Sequence, residues 1–539
     1  MRFRNFVALP IPAIWFLVAL SSLHPLYFAD ALSLTKRNSA LPPQKQQTNQ
    51  QSISLAASSS DENDGPSKGT NQSSSSVGSA TIPEEVFNLV KSIIGAGVLS
   101  LPAGIALMAN NGASSTSSGI LLSTSSMLIA LMGGISAYTF SLIARVCKMT
   151  NSNTYADCWK ATKGQSLAWI VALSSTLDCF AGNLTYSMVL ADTFRQLFSY
   201  LFELGGSSGK YAALFATLNA YNSRTRVLLV LTATILMPLC CVKNLSSLAP
   251  FSLVGILGMV YTAFVIGLRY FDGSYKLPNG RFLADLGVVP SFAGAGSSSA
   301  GSMLLPLRNP KSLILVSMLS TAYIAHFNAP KFYRELKDAD SQPKRFHLGV
   351  VASSFAVSVL FYAIVSALGY LTFGAATEGM ILSNYSTKDV LVSLSRFAVG
   401  LSLIFSYPLL FVGLREGIVD LINQITPLLR SNKTTPQKQL VLTDKQSNRV
   451  TVGMVSLITM LALKITDLTF VASMSGALLG TSLIFIFPPL MFRSALTMES
   501  ERTSTPFTGL QTFERRLCSI IVGLGVFIAG VGAKMAWTA

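Results

Sequence analysis

Charge is what this sequence has least of. Only 12% of its 539 residues are Asp, Glu, Lys or Arg, where an ordinary soluble chain carries roughly a quarter. The deficit is concentrated in long stretches with almost no charge, many of them near the roughly 20 apolar residues that cross a bilayer. Helices of soluble proteins average about a dozen residues, so one large soluble core is excluded and the chain reads as a polytopic membrane protein. Cysteine is scarce too. The six, Cys147, Cys158, Cys179, Cys240, Cys241 and Cys518, fall in apolar runs or in loops on the basic side, without the spacing of a disulfide framework or a zinc site. The sequence also lacks a nucleophile–base constellation, a metal motif and a phosphate loop, so neither an enzyme nor a cofactor or metal is expected.

The charge that is present has a direction. The formal net charge is +16, but the basic residues sit mainly in loops between apolar runs and are biased to one side, as the positive-inside rule requires, which argues against a nucleic-acid partner. Eleven spans are predicted: 86–108, 118–145, 166–200, 227–242, 246–271, 311–334, 346–373, 388–414, 450–466, 468–493 and 516–537. With the region before the first span on the basic side, that side collects Arg145, Lys148, Lys160, Lys163, Lys331, Arg334, Arg493, Arg515 and others. Residues 1–31 have the form of a signal peptide, with Arg2 and Arg4 ahead of an apolar run and Ala29-Asp30-Ala31 as the cleavage pattern. Residues 32–81 form a polar, Ser-rich tail, and its first part, to residue 60, is transit-like and holds no acidic residue. Together they resemble a two-part presequence for a plastid envelope. An uncleaved anchor or a simple secretory signal into the endomembrane system are the alternatives.

Two spans look broken. The first carries Lys91, Gly95-Ala96-Gly97 and Pro102, and the sixth reads STAYIAHFNAPKFYREL over residues 320–336, with a break expected at Asn328-Ala329-Pro330. Matching interruptions five spans apart point to a secondary transporter built from two repeats of five helices. A mid-membrane break is tolerable only beside a cavity or ligand. Free N–H groups near Gly97 and Val98 suit a carboxylate, and free carbonyls at the end of the first half-helix suit an ammonium group. Close helix packing is the other use for such glycines.

At these residues the sequence resembles the amino acid/auxin permease family. The likeness runs through FNLVKSIIGAGVLSLP (87–102), CFAGNLTYSMVLADTF (179–194), AHFNAPKFYREL (325–336), SYPLLFVGLRE (406–416) and GALLGTSLIFIFPPLMF (476–492), in family order across residues 82–537. It implies an all-α membrane protein with a LeuT-like 5+5 inverted repeat plus one helix, and amino acids as cargo. It also implies sodium independence. Sodium-coupled members have an asparagine where this chain has Lys91, with a hydroxyl near Ser406, whereas proton-coupled members have lysine.

The candidate substrate-binding residues are therefore Ser92, Gly95, Ala96 and Gly97 in span 1, Asn183 and Tyr186 in span 3, and Thr321 and Ala322 in span 6. Candidates for cation or proton coupling are Lys91, Asp178, His326 and Ser406. Alternatives stand beside them. Lys91 as a snorkelling lysine, His326 as a packing histidine, Tyr186 as a packing aromatic and Ser406 as a structural hydroxyl are the plain readings. Arg396 reads as an interface anchor, and Asn384-Tyr385-Ser386 as a glycosylation sequon in an outer loop. The expected partners are an amino acid, protons and membrane lipid. An amino-acid sensor, or a carrier of another small organic acid, is the rival function.

Overall fold

The computed structural model describes residues 79–109, 117–206, 212–242, 251–292, 305–339, 341–429 and 442–538. The signal-like segment and the tail up to residue 78 lie outside these, as do the start of the fifth expected span and the basic residues Lys210, Lys243, Arg430, Lys433 and Lys438. The described residues begin at 79, slightly before the boundary read from sequence. Ala80 N–H donates to Glu335 O at 2.9 Å and its carbonyl accepts from Lys337 N–H at 3.0 Å. Thr81 and Glu84 then form a capping box that starts the first helix, with Glu84 Oε2 2.8 Å from Thr81 N.

The helices are α1 (Ile82–Ile93), α2 (Ala96–Ala109), α3 (Ser118–Thr150), α4 (Tyr155–Lys163), α5 (Gln165–Gly205), α6 (Ala212–Ala220), α7 (Arg224–Cys241) and α8 (Leu253–Phe271). They continue with α9 (Ser312–Ala322), α10 (Ala329–Glu335), α11 (Arg345–Phe373), α12 (Val390–Thr426), α13 (Asp444–Lys464), α14 (Leu468–Thr503) and α15 (Gly509–Thr538). Among the described residues nine helical segments are long and apolar enough to cross a membrane, α9 and α10 together being one of them, and the pair α1–α2, bent by 45°, makes a tenth. The expected span 450–466 falls within α13, whose first two turns, Asp444 to Arg449, are polar, which keeps it out of that set.

The packing pairs four of the five spans of the first half with the span five places later, while the fifth, α8, packs against α12 and α11. Helix α2 lies against α9, α3 against α11, α5 along most of α12, and α7 against α13. Two five-helix units of the same fold, interlocked, produce this pattern. Around α9 the approach is close enough to require glycine. A Cβ on Gly476 would fall on the carbonyl oxygen of Ser317, and one on Gly480 would lie 2.9 Å from Ser320 O. Small residues let membrane helices meet backbone to backbone, where lipid supplies no hydrophobic drive for association.

The outer ends are tied by buried charge. Arg396 is fully buried, so it is not an anchor at the lipid interface. Its guanidinium donates to Tyr385 O at 2.7 Å and Leu382 O at 2.9 Å, fastening the loop between α11 and α12. Beside it Asp389 accepts from both Arg269 Nε and Nη2 at 2.7 Å. Asn384 in the same loop is buried, with Nδ2 donating to Ala376 O at 2.8 Å, so the folded chain does not present this sequon to a glycosylating enzyme.

Gly476→Val should force α14 away from α9 and cost about 1–3 kcal/mol or more. Gly453→Val, where a Cβ meets nothing within 4 Å, should leave the thermal midpoint unchanged. Thermal unfolding of both purified variants, followed by size-exclusion chromatography, checks this.

Candidate functional site

Helix α1 ends because Ile94 and Gly95 adopt extended backbone, with φ/ψ of −77°/92° and −118°/−170°. The chain restarts as a tight turn over Ala96–Ser100. Among the described residues no acceptor meets the N–H groups of Ala96 or Gly97. These donors head a half-helix and carry its partial positive charge. A Cβ on Gly95 would meet nothing within 4 Å, so this glycine borders open space and is not a packing contact.

The sixth span breaks earlier than its proline suggests. Helix α9 stops at Ala322, the chain passes through Tyr323–Ala325, and a short turn over His326–Asn328 leads into α10. Pro330 sits in the first turn of α10, where its missing N–H costs nothing. The sequence places the interruption at the residue that starts the next helix, while the helix actually ends before the aromatic Tyr323.

The two breaks face each other. A Cβ on Gly97 would lie 3.8 Å from Ala322 Cα. Between them stands Tyr362 of α11, fully buried, whose Oη is 2.7 Å from Ile93 O and 2.8 Å from Ala322 O. A phenol has one proton to give, so two half-helix carbonyls compete for one donor, and one retains an unsatisfied lone pair. Asn328 Nδ2 donates to Ser92 Oγ at 3.3 Å and links the breaks a second time. Tyr323 packs against Tyr362, with ring centroids 4.9 Å apart and planes tilted by 43°, and donates to Ile129 O. The result is a small set of carbonyl and phenol acceptors on one side and free amide donors on the other, as a zwitterion requires.

Span 3 borders this set. Tyr186 is half-buried, its hydroxyl meets no partner among the described residues, and it lies within electrostatic reach of Tyr362 and of Asp178. Asp178, two turns earlier, is half-buried and has no hydrogen bond or ion pair among the described residues. Lys91 is half-buried in the last turn of α1, where a cation is favoured by the helix dipole, and it too has no partner among the described residues. Ser406 is half-buried with a free hydroxyl by the same measure, and Pro408 two residues on leaves the carbonyl of Ile404 without its helical N–H.

Three candidates are turned elsewhere. Thr321 Oγ1 donates to Ala472 O at 2.8 Å, so its hydroxyl serves the contact with α14. Asn183 is fully buried and its Nδ2 donates back to Cys179 O at 2.8 Å. His326 is fully buried against α3, with Nε2 2.9 Å from Thr139 Oγ1 and 3.1 Å from Ser136 O, and Phe140 edge-on at 5.6 Å. Among the described residues no carboxylate or cation is seen to act on its ring, which fits the packing reading of this histidine. A separate outer cavity of about 130 Å³ lies between α2, α9 and the start of α14, lined by Ala103, Ile314, Asp467 and Thr469 among others.

Residues 78–535 match the family described as "Transmembrane amino acid transporter protein". This chain belongs to that family. Its members of known kind are transporters and not enzymes. It is similar to "Amino acid transporter AVT6B" of Arabidopsis thaliana, 26% identical over 420 residues that cover 76% of this chain and 81% of the relative. It is also similar to "Putative sodium-coupled neutral amino acid transporter 11" of Danio rerio, 25% identical over 459 residues, covering 85% and 86%. Among solved structures it resembles Mhp1 in an inward facing conformation, with a TM-score of 0.50 at 11% identity, over 86% of this chain and 92% of that one. That likeness concerns the fold. With the span pairing above, it supports the all-α LeuT-like arrangement of a multi-pass integral membrane protein.

Within this family member, Tyr362 is the central residue that sequence reasoning missed. Span 7 holds both Tyr362 and Tyr370, and nothing in a one-dimensional pattern distinguishes the tyrosine facing the breaks from the other.

Tyr362→Phe keeps the ring and removes the single phenol proton and the phenol oxygen, which stands among the acceptors assigned to the substrate ammonium. A hydrogen bond to a charged group contributes about 1.5–3 kcal/mol, so apparent amino-acid affinity should fall about tenfold or more while the variant still elutes as a single folded species. Gly95→Ala should fold normally and also weaken binding, because its new methyl enters the open space; a packing glycine would show the reverse pattern in thermal unfolding and ligand titration.

Proposed function

We propose that this protein carries amino acids across its membrane by secondary transport, without sodium and with protons as the coupling ion or with no coupling ion at all. The observation that carries the reading is the phenol of Tyr362 shared between the end carbonyls of both broken half-helices, opposite the unpaired N–H groups of Ala96 and Gly97. Acceptors and donors so arranged bind both ends of a free amino acid, and a site between two helix breaks can be opened to either side by small rigid-body movements.

The sodium-independent part rests on Lys91. An unpaired ammonium in the last turn of α1 fills and charges the region from which span 1 would reach a cation, and repels one. Lys91 and Asp178 are half-buried, charge-bearing groups on the elements that form the site, with no partner among the described residues, and we assign proton exchange to them. The printed names of the relatives support amino acids as cargo. The presequence-like composition of residues 1–60 supports a plastid envelope or an endomembrane as the location.

Uptake of a labelled amino-acid mixture into proteoliposomes, with an imposed pH gradient and with choline in place of Na⁺, tests the proposal. Accumulation should follow the pH gradient, or persist as simple equilibration without it, and should be indifferent to choline. Lys91→Met should abolish gradient-driven accumulation and leave counterflow of preloaded amino acid intact. Collapse of uptake in choline contradicts the sodium-independent reading; no uptake of any amino acid by folded protein contradicts transport and favours a sensor.

A further inference from the structure

A second cavity lies far from the helix breaks, on the basic side. It has a volume of about 360 Å³, within the range of pockets that take small organic ligands. Its walls come from three elements: Thr162 and Lys163 at the end of α4, Leu490, Arg493, Ser494, Thr497 and Met498 on one face of α14, and Arg515 in α15. The lining holds three basic side chains and three hydroxyls and no carboxylate.

The cations lack counter-charges. Lys163, Arg493 and Arg515 form no ion pair among the described residues, and the Nε–H of Arg493 is buried without an acceptor. Glu514, next to Arg515 in sequence, is already committed: both its oxygens receive the guanidinium of Arg145, at 2.5 and 2.9 Å. Burial, and then the charge of Arg493, push the Lys163 ammonium below its ordinary range. Three half-buried cations turned toward one space repel each other, and an unpaired buried donor is costly.

The walls are also held in place. Tyr155 of α4 donates to Leu483 O at 3.0 Å, and Trp159 meets Phe487 edge-on at 5.0 Å, so α4 is fixed to α14. The Arg515 guanidinium stacks 4.0 Å over Phe507, which leaves its N–H edge free. Met498 of the lining is 46% exposed, as a residue in contact with lipid would be.

We propose that this cavity is a binding site for a phosphate-bearing anion, with the guanidiniums of Arg493 and Arg515 and the ammonium of Lys163 on the phosphate oxygens and Ser494 donating a hydrogen bond, while the hydroxyls of Thr162 and Thr497 donate to Cys158 O and Arg493 O within their own helices. Guanidinium forks fit phosphate oxygens in pairs, and basic pockets between membrane helices on this side suit anionic headgroups. Two sources share this chemistry: the headgroup of an anionic lipid and a soluble phosphate compound.

The test is equilibrium binding to the purified full-length chain of three probes: a short-chain phosphatidylinositol 4-phosphate, its water-soluble headgroup inositol 1,4-bisphosphate, and inorganic phosphate. The lipid should bind saturably. The K163Q/R493Q/R515Q variant should weaken it about tenfold or more, while K337Q/K344Q/K445Q, which removes the same charge from exposed positions on the same side, should leave it unchanged. Equal binding of lipid and free headgroup supports the site with a soluble occupant, and much tighter lipid binding supports the headgroup. If the triple variant fails to elute as a folded species, R515Q alone, at a half-buried ring-stacked position, should still weaken binding severalfold. Saturable binding by none of the three probes, or equal losses in the pocket and control variants, overturns the proposal.

Discussion

A membrane helix can be unwound only if something replaces the hydrogen bonds it gives up, because hydrocarbon supplies none. Here that something is one phenol. Tyr362 stands where α1 and α9 both end and offers a single proton to two carbonyls. The arrangement satisfies the backbone in part and leaves capacity over. That remainder of unmet hydrogen bonding, with the free N–H groups across the gap, is what the proposed binding site rests on. Full satisfaction would give a rigid, inert break, and none would unfold the region.

The ends of the molecule are built differently from its middle. On the outer side, Arg396 and the Arg269–Asp389 pair hold a loop by its carbonyls and by bidentate charge. On the inner side, Ala80 pairs with the strand-like stretch after α10, and Arg145 clamps Glu514. Several rim charges are thus settled in pairs, whereas the three cations of the inner cavity form no ion pair among the described residues. Near the breaks the reverse holds: Lys91 and Asp178 have no partner among the described residues. In the proposed transport cycle such half-buried titratable groups are where proton uptake and helix movement would be linked.

Much of this was legible in the sequence, and the omissions have physical causes. The long charge-free runs, the paired interruptions and the Gly95-Ala96-Gly97 break are local features, so one dimension suffices to find them. Which face a residue presents is not local. Thr321 and Ala322 are neighbours, yet one hydroxyl is spent on Ala472 and the other residue's carbonyl faces Tyr362. Asn183 and Tyr186 share a helix, but Asn183 is fully buried and donates back to Cys179 O, while Tyr186 is half-buried within electrostatic reach of Tyr362. His326 looked like a proton relay because histidine titrates near neutrality; its surroundings, Thr139, Ser136 and Phe140, offer no charge to exchange with. Pro330 drew attention to the wrong end of the break, since proline marks where a helix can start as well as where it must stop.

The central claim is that the substrate lies between the two breaks and is held at both of its charged ends by backbone groups and Tyr362. The most direct measurement is a cryo-electron microscopy structure of the full-length protein with a transported amino acid bound. The account predicts density with its carboxylate at the N–H groups of Ala96 and Gly97 and its ammonium among Ile93 O, Ala322 O and Tyr362 Oη. Density confined to the outer cavity beside Ala103 and Thr469, with nothing between the breaks, would contradict it.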